Sequence, residues 1–120
     1  MRQHEKVLSA AEAYLTSIFY GDVERLRLTF HPRAILGGVV KGAPYYKSVD
    51  EYLDVVKDRK SPSDLGETYK MSVISVEVIG EIAFVKTHCP MLGYNYFDYL
   101  SFVFFEGRWV IISKVFTHLA

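Results

Sequence analysis

FDYLSFVFFEGRWVIISKVFTH, residues 97–118, is the stretch on which the fold turns. Two runs rich in β-branched and aromatic side chains, Phe97 to Glu106 and Trp109 to His118, flank Gly107, and that arrangement reads as an antiparallel hairpin. Alternation sorts each run into two faces. In the second run Trp109, Ile111, Ser113, Val115 and Thr117 share one side, and Val110, Ile112, Lys114, Phe116 and His118 the other. In the first, Tyr99, Val103 and Phe105 oppose Leu100, Phe102 and Phe104. Neither side is written for water, so a sheet made of such strands has to be covered on both faces.

Working back from this hairpin, Tyr69 to Ile79 and Glu81 to Cys89 form another around Gly80, preceded by a loop from Lys60 to Gly66. Upstream the period changes. Val7, Ala10, Ala11, Tyr14, Leu15 and Ile18 recur at helical spacing, which predicts a helix from Glu5 to Tyr20 ended by Gly21. Asp22 can cap a second helix, with Val23, Leu26 and Phe30 as its buried stripe and Pro32 as its stop. Ala34 to Val40 reads as a short strand, where Gly37-Gly38 signals a bulge or a close backbone approach. Ser48 and Glu51 form a capping box that starts a third helix, Val49 to Arg59, with Tyr52, Leu53 and Val56 on its apolar side. Helices first and hairpins last give an α+β class, because parallel βαβ units would need helices between the late strands. Three helices can cover only one sheet face. The other is expected to meet a second copy of the chain; if Val110 and Ile112 lie outermost, Lys114 and His118 should sit at that interface's polar edge or pair with a carboxylate across it.

With 120 residues, half of them apolar, the chain fits one domain over 1–120. Fourteen Lys+Arg balance fourteen Asp+Glu and no basic run exists, which argues against nucleic acid and membrane surfaces as partners. Glu12 interrupts the apolar stretch after Met1 to Lys6, so no signal peptide is read there. One cysteine, Cys89, excludes an intramolecular disulfide and a multi-cysteine zinc site, and points to a reducing, cytoplasmic home. His4, His31, His88 and His118 lack close ligand spacing, and Gly37-Gly38 does not open a phosphate-binding helix, so neither a metal nor a cofactor is expected.

Tyr14 running into Tyr20-Gly21-Asp22, then Phe30-His31-Pro32-Arg33-Ala34, and finally Phe104-Phe105-Glu106-Gly107-Arg108-Trp109-Val110-Ile111-Ile112 together resemble the nuclear-transport-factor-2-like (NTF2-like), or SnoaL-like, superfamily over nearly the whole chain. The flavour is closest to its branch named for lumazine binding, a name that does not establish the ligand. The resemblance implies a cone: a curved, mainly antiparallel sheet wrapped on three N-terminal helices, a pocket inside, and dimers through the convex face. Ketosteroid isomerases of this superfamily use a first-helix tyrosine, an aspartate base on the first strand and a protonated aspartate late in the sheet. Tyr14 falls at the tyrosine, but counting places the base at or beside Gly38 and the second acid at about Leu100, so that acid–base pair is missing. Related dehydratases use histidine, aspartate and tyrosine, which leaves His31, His88 and Asp98 with Tyr14 as catalytic candidates.

Each candidate has a plainer reading. His31 before Pro32 can satisfy backbone groups at a helix end, and Asp98 and His88 can be a solvated strand end and a rim residue rather than a pair across the hairpin. Cys89 adjoins His88, but neighbours on a strand face opposite ways, so it reads as a small buried hydrophobe. The nine tyrosines offer apolar faces with polar tips, suited to a small, partly aromatic ligand. Tyr14, Tyr46 and Trp109 are expected to turn into the cone, and Tyr94 and Tyr96, in a loop beside Gly93, to sit at its mouth. Their alternative role is core and dimer padding. The Tyr14 hydroxyl in particular should point inward, and Tyr14→Phe should spare folding while weakening a hydrogen-bonded ligand by about 1 kcal/mol. Three functions follow: small-molecule binding without catalysis, a dehydratase or isomerase of a small cyclic substrate, and a structural dimerisation module.

Overall fold

In the computed structural model, which describes residues 2–120, Val7, Ala11, Tyr14, Leu15 and Ile18 are buried on one side of helix α1 (Gln3–Tyr20). Gly21 ends the helix in the left-handed region, φ 65°, where its N–H reaches the Ile18 carbonyl. Asp22 caps α2 (Val23–Thr29) by accepting the Arg25 N–H. Phe30 does not complete that helix's stripe. It opens strand β1 (Phe30–Val40), and its ring meets Tyr14 edge-on at 5.9 Å. Helix α3 (Val49–Asp58) begins with both bonds of the Ser48–Glu51 capping box.

Strand β2 (Ala43–Ser48) has no counterpart in the sequence reading. It exists because Lys41 and Gly42 both adopt positive φ, 52° and 76°, making the tight turn that matches strand twist. Leu92 and Gly93 repeat this geometry, φ 53° and 83°, between β4 (Ile82–Met91) and β5 (Tyr94–Phe105). Tyr94 and Tyr96 therefore belong to a strand rather than a loop. With β3 (Ser72–Ile79) and β6 (Arg108–Leu119), these strands form one curved, open sheet in the order β2-β1-β6-β5-β4-β3, in which only β1 and β6 run parallel. All three helices pack on one face: α1 crosses β3, β4 and β6, while α3 lies on β1 and β2. The core between the layers joins Tyr14, Leu15 and Ile18 to Leu36, Val85, Leu100, Phe102 and Ile111.

The register of β5 on β6 shifts between Ser101 and Phe102: Ser101 faces Ser113, Phe102 faces Ile111, and Ile112 is the extra residue. A bulge of this kind reverses alternation beyond it. Lys114, Phe116 and His118 consequently join Trp109 and Ile111 on the helix-covered face, and Lys114 is 3% exposed rather than at an outer polar edge. The outer face carries Ile35, Val39, Tyr46, Phe84, Tyr99 and Val115, all exposed.

Gly38 lets two strands approach where no side chain fits: a Cβ built there would lie 1.9 Å from the Phe116 carbonyl oxygen. Gly38→Ala should therefore force β1 from β6 and cost about 3 kcal/mol, read from urea unfolding. A variant as stable as the wild type would contradict this contact.

Candidate functional site

The pairing of β4 with β5 sets Thr87 opposite Asp98 and places Cys89 on the same inner face. Tyr14 reaches them from α1. Its hydroxyl donates to Asp98 Oδ2 at 2.7 Å, Thr87 Oγ1 donates to the same oxygen at 3.1 Å, and the Cys89 thiol does so at 3.6 Å. Oδ1 takes part in none of the described bonds. Asp98 is only 3% exposed, so a carboxyl group sits in the core with its donors gathered on one oxygen.

Lys114 supplies the opposite charge nearby. Its Nζ donates to the Tyr52 hydroxyl at 3.1 Å and lies 4.4, 4.6 and 5.4 Å from the ring centroids of Tyr52, Phe116 and Tyr14. Aromatic faces attract a cation, and more strongly away from water. Burial pulls the lysine's pKa down, but Tyr52 and the Asp98 carboxylate pull it up and prevail, so the amine stays an ammonium. Burial first, and Asp98 second, push Tyr14 and Cys89 well above their usual ranges, which keeps a phenol and a thiol. Burial also raises Tyr45, to about 12.

Asp98, Lys114 and Tyr52 form the buried end of a cavity of about 270 Å³, and Tyr45, Tyr94 and Tyr96 form its wetter wall. A larger, shallower hollow of about 1000 Å³ lies between α1, α2 and the β5–β6 turn, beside Tyr20, Arg25 and Trp109. No buried ionisable side chain lines that hollow. The chemistry-bearing cluster belongs to the smaller cavity.

Residues 2–117 match the family described as "Putative lumazine-binding". The chain belongs to this family. It is 28% identical over 116 residues to the aldolase FrzH of Cladobotryum sp., covering 95% of this chain and 90% of the relative. Among solved structures, an NTF2-like protein of unknown function from Silicibacter pomeroyi superposes with a TM-score of 0.88 at 25% identity, covering 99% of this chain and 100% of that one. An NTF2-like protein described as a putative dehydratase, from Streptomyces avermitilis, does so at 0.72 and 17% identity, over 98% and 96% of the two chains. The fold of this lumazine-binding-family chain is thus NTF2-like.

Within that fold the residues singled out in the sequence separate. Tyr14 and Asp98 meet directly, and Asp98 is neither solvated nor at a strand end: β5 starts three residues earlier than the hairpin reading implies. The partner of Tyr14 is Asp98, two positions before the Leu100 that counting indicates and on the same strand face. The counted base position, Gly38, carries no side chain. Tyr94 and Tyr96 line the cavity; Tyr46 points outward and is 75% exposed, its inward neighbour being Tyr45. Trp109 is buried in the other hollow, donating its indole N–H to Gln3 Oε1 at 3.0 Å. His88 cannot pair with Asp98, because one residue of offset puts it on the outer face, stacked on Phe97 at 4.4 Å and bonded to Asn95. His31 Nδ1 accepts the Arg33 N–H at 3.0 Å, beside Phe105. Among the described residues no three His, Cys, Asp or Glu side chains converge as metal ligands. Lys114, Tyr52, Tyr45 and Arg59 are not among the site residues the sequence singles out; a lysine amid an apolar strand run is the available signal, and the bulge disguises its face.

Because the Tyr14 hydroxyl is engaged with a buried carboxyl, Tyr14→Phe should cost about 1–3 kcal/mol of stability rather than spare folding. Cys89, Tyr14 and Lys114 all have raised pKa values, so the unfolded chain releases their protons first and stability is lost as pH climbs. Thermal melts should fall from about pH 9, the thiol's ordinary value, upward, and less steeply in Tyr14→Phe. Flat melting temperatures between pH 8 and pH 11 would contradict this assignment.

Proposed function

We propose that the cavity takes a small, partly aromatic carbonyl compound and moves a proton at the carbon next to the carbonyl. The observation that carries this reading is that Asp98, bonded by Tyr14 in the core, lines one cavity together with the Lys114 ammonium. Asp98, oriented by three donors on Oδ2, presents Oδ1 as the base that receives the carbon-bound proton. As that proton leaves, its electron pair moves onto the carbonyl oxygen. Lys114 spends one of its three N–H donors on Tyr52, leaving others for this oxyanion, in a site where low dielectric strengthens the attraction. Tyrosine faces along the wall suit an aromatic or heterocyclic ring.

The enolate so formed has three ordinary fates: reprotonation at another carbon, expulsion of a β-hydroxyl, or attack on an aldehyde. These are isomerisation, dehydration and aldol addition. A relative named as an aldolase and a structural neighbour described as a putative dehydratase support this shared first step. The dehydratase or isomerase reading is thereby preferred to binding alone, with Asp98 and Tyr14 retained and His31 and His88 set aside.

Deuterium uptake next to the carbonyl of 4-phenylbutan-2-one and 2-oxo-4-phenylbutanoate, followed by proton NMR in D2O, tests the reading. The wild type should accelerate uptake into at least one of the two over buffer, and Asp98→Asn should lose about 100-fold of that acceleration. Uptake at the buffer rate for both compounds would reduce the cavity to a binding site.

We propose further that the outer sheet face pairs with a second copy of the chain. Ile35, Val39, Ile82, Phe84, Tyr99 and Val115 leave that face apolar and exposed, and a two-fold contact would cover the same patch on both copies. Sedimentation at micromolar concentration should give about twice 13.8 kDa, and Phe84→Glu should shift it toward the monomer. A wild-type monomer at that concentration excludes the pairing.

A further inference from the structure

Arg59 follows α3 and lines the same cavity as Asp98 and Lys114. Its Nε and Nη2 are buried and have no hydrogen-bond partner, although buried charged groups are ordinarily paired. These two nitrogens form one edge of the guanidinium plane, with N–H bonds running side by side. That edge receives both oxygens of a carboxylate at once. Neighbouring charge agrees with the vacancy's sign: Lys41, Arg59 and Lys114 line the cavity against Asp98 alone, and Asp98 is already served by Tyr14 and Thr87.

We infer that the free edge of Arg59 is a carboxylate subsite, so that the cavity's ligand is a small carbonyl acid whose carboxylate lies on Arg59 while its carbonyl faces Lys114. This inference rests on the carbonyl reading of the cavity given above and adds the substrate class to it. It also gives the unpaired guanidinium a reason to persist. An arginine serving only to fill space would leave its donors in water, as long basic side chains ordinarily do.

A matched pair of probes isolates the carboxylate. 2-Oxo-4-phenylbutanoate and 4-phenylbutan-2-one differ in carrying a carboxylate or a methyl group on the same carbonyl. By titration calorimetry the wild type should bind the acid at least tenfold more tightly than the ketone. Arg59→Gln should abolish that preference, and Arg59→Lys, which keeps the charge but not the two-pronged edge, should retain only part of it. Melting curves of both variants without ligand check folding, and neither should melt below the wild type, since removing an unpaired buried donor edge takes away no bond. Equal wild-type affinities, no binding of the acid, or an acid preference that survives Arg59→Gln would each overturn the subsite. Deuterium uptake without acid preference would remove the Arg59 subsite and leave proton transfer standing; acid preference through Arg59 without uptake would do the reverse.

Discussion

A carboxyl group 3% exposed in the middle of a β-strand is the constraint around which this molecule is arranged. Stripping such a group of water costs several kcal/mol unless donors and opposite charge replace the solvent. Each replacement comes from a different part of the chain: Tyr14 from the first helix, Thr87 from the neighbouring strand, Lys114 from the strand on the other side. The helix layer, the β4–β5 register and the β6 bulge must all be correct for Asp98 to be tolerated. Replacing the cluster with well-packed apolar residues would, on general grounds, leave a domain of similar stability or better. Its presence is a reason to look to chemistry rather than to folding for its role.

What the sequence disclosed follows from how local the cause was. Gly21, Asp22 and the Ser48–Glu51 box act within a few residues of themselves, and the helix starts and stops they dictate are found within two residues of where they were read. Gly38 was legible as a close approach, though only the structure names Phe116 as what approaches. The Lys41-Gly42 and Leu92-Gly93 turns were not legible, because lysine and leucine rarely take positive φ and the glycine alone does not mark a two-residue turn. With them went β2 and the first residues of β5, and so the correct burial of Asp98.

The largest misreading of the site has a single origin. Alternation locates the inner face of a strand only when one face is polar. On β6 both faces are apolar, so the extra residue at Ile112 leaves no trace in the pattern, and simple alternation groups the residues after it with the wrong ones before it. Lys114 is thereby grouped with Val110 and Ile112, which makes it a rim lysine if that face is outermost, when it is a core cation surrounded by Tyr14, Tyr52 and Phe116. The same offset logic, applied to β4, separates His88 from Asp98: adjacency across a hairpin is adjacency of registers, and Phe97 rather than Asp98 is the residue opposite His88.

Formal neutrality of the chain as a whole conceals a strongly uneven interior. Net charge governs the field at a distance, and at zero it gives no steering of an anion from solution. Inside a low-dielectric cavity the interaction of individual charges is many times stronger than in water, so local imbalance governs instead. Lys114 with its aromatic neighbours and Arg59 with its unpaired Nε and Nη2 both line a space of about 270 Å³ whose one carboxylate is already bonded. A ligand that brings a negative charge there restores local balance and pairs donors that the protein itself leaves unpaired. A neutral molecule of the same shape has to bury those donors without satisfying them. Selection in such a site acts at contact, through the penalty on the wrong ligand, and it needs no long-range attraction to the right one.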